Sequence, residues 1–306
     1  MRIPGIILKS QLAALHPERR QRRAWLRDGT IRTVGQWYVT PEAPEDLVAL
    51  LAHGVRPTCV DAAALHGLWT PVVEGVHAFR LRVSTVPGPP PMLRPIRRVH
   101  DPVTGIPVAP RDSSPQWTSG MLQPLALHGP ALRAWPDEDP VPNIRLTLDH
   151  AARCLPPVKA AILIESALHQ HRMTSWQLEQ LLAGLPTRTA GQLSRVRTDA
   201  QSGTETAVRW WFESRRVTVR SQAQLLPDAR VDLLIGTNWV IECDSRRFHD
   251  DPQQYREDRR RDLALAARGY RVTRLTWEQV FLEWEKTEEM LLRILHRRQH
   301  LAGLPA

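Results

Sequence analysis

Long apolar runs are missing from this 306-residue chain: no stretch of 18 uninterrupted apolar residues occurs, so a membrane-spanning helix and a membrane partner are not expected. Cysteine is scarce. Cys59, Cys154 and Cys243 are far apart and odd in number, which argues against a disulfide framework and a zinc cluster and fits a reducing cytoplasm. The apolar part of Met1–Lys9 is too short for a signal peptide, so a cytoplasmic protein is expected. Tandem repeats are absent. Negative charge is in deficit, with 32 acidic against 41 basic residues, a net charge of +9 and a pI near 10.4. That balance favours an anionic partner, nucleic acid first. Much of the excess is arginine, whose planar fork suits phosphate oxygens.

What is present describes a soluble globular protein long enough for two domains. Residues 1 to about 80 read as a small helical unit. Short helices over 10–17 and 18–27 precede a strand–turn–strand over 30–39, and two further helices stop at Gly54 and Gly67. Helices followed by a β-hairpin suggest a winged helix. Arg19, Arg20, Arg22, Arg23 and Arg27 fall on the second helix, where they serve either as phosphate contacts or as a solvated face. Residues 81–198 read as a proline-rich connector, including Pro87-Gly-Pro-Pro-Pro91, followed by helices from about 143. Ile96–Val99 suits a short strand, and His100, His169 and His171 are expected to be structural or exposed. From Ser202 the order is helix, three strands, helix, strand, helix. The expected class is therefore α/β (α+β overall), with a winged-helix-like head, a helical and irregular middle, and a C-terminal mixed sheet flanked by helices.

The densest chemistry lies in Arg230–Asp244, two apolar runs broken at Gly236-Thr237-Asn238. This is a strand, tight loop, strand pattern. A three-residue loop pairs Ile235 with Trp239 and places Asp232 opposite Glu242, with Asp244 on the same face as Glu242. A two-residue loop would slip the register and send Asp232 to the opposite face. Three carboxylates converging on one hairpin edge suit a hard divalent cation such as Mg²⁺ (or Mn²⁺), which prefers oxygen ligands. The plainer reading has these acids facing solvent. Asp258, Arg261 and Asp262 are helix neighbours, either orienting the site's ligands or forming a surface ion-pair network. Trp210, Trp211, Trp239 and Trp277 fit a core better than base stacking.

Glu205, Asp232, Glu242-Cys-Asp244-Ser-Arg-Arg-Phe-His249, Asp258–Asp262 and Gly269–Leu275 together resemble the DUF559 endonuclease-like family, related to very-short-patch-repair endonucleases and the PD-(D/E)xK nuclease fold. The resemblance covers roughly 200–285 and implies a nuclease domain over 199–306. It implies metal-binding roles for Asp232 and Glu242, and a supporting role for Glu205 on the first helix. Asp244 stands where a typical PD-(D/E)xK enzyme has lysine, Ser245 departs from the family's glycine, and His249 matches a histidine that helps activate water. Phosphodiester hydrolysis would then use a cation held by Asp232 and Asp244 or Glu242, His249 as proton acceptor, and Arg246, Arg247 or Arg261 against the phosphate charge.

Residues 27–38 and Ala62-Ala-Ala-Leu-His-Gly-Leu68 are similar to the AbiEi-type antitoxin family, which implies a winged-helix DNA-binding head over 1–80. Gln36 and Trp37 alter that family's small-residue wing. The combined expectation is a DNA-directed, metal-dependent endonuclease in a phage-defence or toxin–antitoxin setting, with a homodimer or a partner toxin as possible assembly. The rival is a non-catalytic DNA-binding antitoxin or transcriptional regulator that keeps a nuclease-like domain. RNA is an alternative substrate.

Overall fold

The computed structural model describes residues 1–81, 91–96, 122–132, 135, 137–227, 229–244, 252–301 and 303. In chain order its strands and helices are β1 (Ile6–Leu8), α1 (Lys9–Leu15), α2 (Arg19–Arg27), β2 (Arg32–Val34), β3 (Trp37–Val39), α3 (Glu45–Ala52), β4 (Arg56–Pro57) and α4 (Cys59–Leu65). Next come β5 (Val76–Leu81), β6 (Met92–Leu93), β7 (Gln123–Leu132), α5 (Ile144–Cys154), α6 (Pro157–His169), α7 (Ser175–Ala183) and α8 (Thr187–Gln192). The last stretch holds α9 (Gly203–Ser214), β8 (Val219–Leu226), β9 (Ala229–Ile235), β10 (Trp239–Asp244), α10 (Pro252–Ala267), β11 (Arg271–Thr276), α11 (Trp277–Phe281) and α12 (Trp284–His296). The mixed α/β class is as expected. Among the described residues no helix is long and apolar enough to cross a membrane.

The chain divides into two compact units, one of residues 1–156 with 176–191, the other of 157–175 with 192–306. In the first, the expected two helices and hairpin are present. β1, which the sequence pattern did not indicate, pairs with β3 and completes a three-stranded antiparallel sheet in the order β1-β3-β2. A second sheet, ordered β4-β5-β7-β6, contains a parallel β5–β7 pair. Its long strand β7 falls in the region read as irregular connector, because Pro124, Gly129 and Pro130 mask the β pattern. Arg56 sits buried between Trp37 and Trp135, its guanidinium 4.9 and 4.1 Å from the two ring centroids, and bonds Asp137 Oδ1 at 3.1 Å. Those partners retain a cation whose pKa burial drags down to about 10.

The second unit is a four-stranded sheet, β11-β10-β9-β8, with β10 and β11 parallel and the other pairs antiparallel. Leu233, Ile235, Trp239 and Ile241 pack with Val208 and Phe212 of α9, Val280 of α11 and Leu291 of α12. Val231, Leu234 and Val240 pack with Leu265 of α10. Helical residues therefore bury both faces, which explains why these strands read as apolar runs without polar alternation. Trp210, Trp211 and Trp239 are buried, as expected of core residues, and Trp277 is partly so.

The loop of the central hairpin holds three residues: Trp239 pairs with Ile235, as the first register anticipated. Gly236 adopts φ 61°, and a Cβ there would stand 2.3 Å from the His300 carbonyl oxygen. Thr237 donates its amide to that same oxygen at 2.9 Å. Only glycine fits both the left-handed backbone and the close approach.

Candidate active site

Pairing between β9 and β10 runs from Ile235–Trp239 to Leu233–Ile241 and stops one step short of Asp232 and Glu242. Beyond that point Asp232 Oδ2 accepts the Cys243 amide at 2.8 Å, so a side chain takes over where backbone pairing ends. On the other side of β9, the pairs Ser221–Leu233 and Ala223–Val231 bracket Gln222, whose φ is 49°. Val231 and Leu233 have the same parity yet join different cores. The two-residue period therefore breaks at Asp232, and its side chain is released from strict alternation.

Glu205 reaches this point from α9. Ser202 caps that helix by accepting the Glu205 amide at 3.1 Å, as its sequence position suggested. The Glu205 carboxylate is buried. Its Oε2 accepts the Gln201 amide at 3.1 Å and Gln222 Nε2 at 3.0 Å. Burial first, and then the negative charge of Asp232, push its pKa up to about 8. A buried carboxylate and a half-buried one thus interact at the end of the β9–β10 ladder.

Glu242 has a different environment. It is 5% exposed, lies opposite Arg274 in the β10–β11 register, and its Oε2 stands 3.9 Å from Arg261 Nη2 of α10. Arg261 also donates to Asp258 Oδ1 at 3.0 Å, and Arg274 Nη2 donates to Asp262 Oδ1 at 2.9 Å. Asp258, Arg261 and Asp262 therefore gather with Arg274 in one ion-pair network beside Glu242. The expected convergence was that of Asp232, Glu242 and Asp244, and the Asp244 side chain lies outside the described residues. Among the described residues, Glu205, Asp232 and Glu242 do not bring their oxygens within 4.8 Å of one another as a trio. The physical reason is that Glu242 has cationic neighbours on α10 and β11, whereas Asp232 bonds the β10 backbone and interacts with Glu205.

Asp244 ends β10 opposite Thr276; its side chain, and Arg246, Arg247 and His249 entire, lie outside the described residues, as do Ser245, His100 and Val99. In the other unit, Arg19, Arg20, Arg23 and Arg27 are exposed on α2, and Arg22 is partly buried with its guanidinium on the His16 carbonyl. His169 and His171 are exposed.

Two of the three cysteines, far apart in sequence, meet in space. Cys59 and Cys154 come together with His77 and His128, one ligand atom from each lying within 4.8 Å of the others. Burial, and then a hydrogen bond to Cys154, hold the Cys59 thiol protonated. Hydrogen bonds from Cys59 and then from His128 hold Cys154 well below the ordinary thiol range. Sequence reading missed this group because its members are dispersed; a short zinc-finger spacing would have exposed them.

No protein-family description matches the chain, and no curated protein does. Among solved structures, the catalytic domain of the homing endonuclease I-Bth0305I is similar to part of it, at 14% identity and a TM-score of 0.27, covering 32% of this chain and 97% of that domain.

Proposed function

We propose that the C-terminal unit is a DNA-directed, metal-dependent endonuclease. On this reading residues 199–306 form a PD-(D/E)xK domain of the DUF559 type. Residues 1–80 form a winged-helix-like head of the AbiEi type, joined through 81–198, and α2 meets phosphate with its arginines. A phage-defence or toxin–antitoxin role belongs to the same proposal.

The supporting observation is the Glu205–Asp232 pair. Buried Glu205 is held protonated by its burial and by the charge of half-buried Asp232, so ionising it there is costly unless a cation joins the pair. Their oxygen donors fit a hard divalent ion, Mg²⁺ or Mn²⁺. Asp232 and Glu205 would hold it, with Asp244 or Glu242 from the neighbouring strand. When bound, the ion neutralises phosphate charge and acidifies water. Gln222 and the Gln201 amide orient the Glu205 carboxylate, and the Cys243 amide fixes that of Asp232. Arg261, near Glu242, would approach a phosphate oxygen.

A second reading has its own support. Arg261 stands within ion-pair range of Glu242, so one of the acids already has a protein cation for a neighbour. That suits a nuclease-like domain without catalysis in a DNA-binding antitoxin or transcriptional regulator.

Plasmid and oligonucleotide cleavage, assayed with Mg²⁺, with Mn²⁺ and with neither, decides between them. Metal-dependent cutting that Asp232→Ala abolishes supports the endonuclease. Tight, metal-independent operator binding with no cutting by the wild type supports the regulator and overturns the enzyme.

A further inference from the structure

We infer that Cys59, His77, His128 and Cys154 form a four-coordinate structural zinc site. All four belong to the N-terminal unit, so the inference is independent of the proposed nuclease.

The placement follows from the fold. On the parallel pair β5–β7, His77 stands opposite Ala126 and Phe79 opposite His128. Residues two apart share a face, so the two histidines are diagonal neighbours on one side of the sheet. Cys59 is the first residue of α4 and Cys154 the last of α5, and these helices pack against each other. Two strands and two helices each supply one donor.

The distances suit the ion. Zinc with two sulfur and two nitrogen ligands makes a tetrahedron whose edges, from its bond lengths, measure about 3.3 to 3.8 Å. His77 Nδ1 lies 3.8 Å from Cys154 Sγ, within that range, and 2.9 Å from His128 Nε2, a hydrogen-bond distance that a bound ion would open slightly.

The orientation of His77 suits it as well. Its Nε2 meets the Glu74 carbonyl oxygen at 2.9 Å. A carbonyl only accepts, so Nε2 carries the proton and the neutral ring aims its Nδ1 lone pair into the cluster. A metal-ligating histidine is commonly fixed in this way. The His77 backbone is clamped too, with its amide on Asp61 Oδ2 at 2.6 Å and its carbonyl accepting from the Thr58 amide at 2.9 Å.

Cys59 supplies an independent sign. It is fully buried and holds φ 51°, a left-handed conformation that costs a non-glycine residue energy and persists where surroundings impose it. Its Sγ lies within 4.8 Å of the other three donor atoms. Two thiolates and two imidazoles form a soft set that selects zinc over magnesium or calcium. With all four positions taken by protein, no open position remains for water, so the site is structural. Binding would displace the Cys59 proton to solvent and tie α4 and α5 to the β5–β7 pair.

The test is metal analysis of the full chain purified without chelator, followed by Co²⁺ substitution. About one zinc per chain is expected. The Co²⁺ form should show the visible bands of a tetrahedral site and a thiolate-to-metal charge-transfer band in the near ultraviolet. Cys154→Ser and His128→Ala should weaken zinc binding by more than about 100-fold, while Cys243→Ser should retain the metal. If the variants do not fold, the wild-type Co²⁺ spectrum decides alone. Wild-type protein that takes up neither ion with thiols open to alkylation, or that carries a Cys59–Cys154 disulfide in their place, overturns the site.

Discussion

Arg261 Nη2 stands 3.9 Å from Glu242 Oε2 and donates to Asp258 Oδ1 at 3.0 Å, so one guanidinium serves two carboxylates on different elements. Both acids are largely buried. Removing the cation therefore costs more than a surface pair would. Arg261→Ala should lower stability by about 1–3 kcal/mol. Adding Glu242→Gln should recover part of the loss, giving a non-additive double-mutant cycle in chemical denaturation. Strict additivity would show that the two groups do not interact.

Glu205 sets a pH dependence. Its folded pKa of about 8 lies above the ordinary 4.5, so between those values the native state binds more protons than the unfolded state. Stability in buffer free of added divalent cations should accordingly fall as pH rises from about 4.5 to about 8, then level off. Glu205→Gln should flatten that decline and, above pH 8, gain on the order of a few kcal/mol. Parallel wild-type and variant curves from thermal melts across this range would contradict it.

Buried charge also organises α6 and α9. Glu165 and Arg209 form an ion pair in which each side chain is 1% exposed. The Glu165 carboxylate further accepts Thr206 Oγ1 at 2.7 Å and the Arg197 amide at 3.0 Å. Glu165→Ala strands those donors, although Glu213 still holds Arg209 at 3.0 Å. A loss of about 3 kcal/mol is expected in urea denaturation. A loss below about 1 kcal/mol would mean that water enters and replaces the carboxylate.

Gly236→Ala meets two obstacles at once, φ 61° and a Cβ 2.3 Å from the His300 carbonyl. The chain around His300 must move away and surrender the Thr237 amide bond. The melting temperature should drop by several degrees, for a cost of about 1–3 kcal/mol. The Thr237 amide should exchange its hydrogen faster, and unchanged protection there would show the contact to be dispensable.

If α2 meets nucleic acid, Arg19, Arg20 and Arg23 act through charge. Replacing all three by alanine should weaken binding to unrelated DNA duplexes alike and reduce the log–log salt slope by about 2–3. Fluorescence anisotropy at several salt concentrations reads both. An unaltered slope would return the helix face to a solvated surface.

Much of the local structure was legible in the residues themselves. Apolar runs broken by Gly236-Thr237-Asn238 indicated the hairpin and left two registers, of which the fold takes the three-residue one, and Ser202 marked the start of α9. These signals are short-range, since backbone conformation and side-chain alternation depend on near neighbours. The type and order of the acids around the hairpin were equally readable. Their distribution was not: the break in period at Asp232, the reach of Glu205 from α9 and the cationic neighbours of Glu242 depend on how helices pack over the sheet. Strand β7 escaped notice because proline and glycine hide an alternation that its partners stabilise.

The Cys59, His77, His128 and Cys154 group lies at the far end of this scale. Composition supplied four soft donors, but their long separations carry no local pattern. Parallel pairing of β5 with β7 and the packing of α4 on α5 brought them together. Contacts between residues distant in sequence are set by which buried surfaces fit one another, and that is a property of the whole fold.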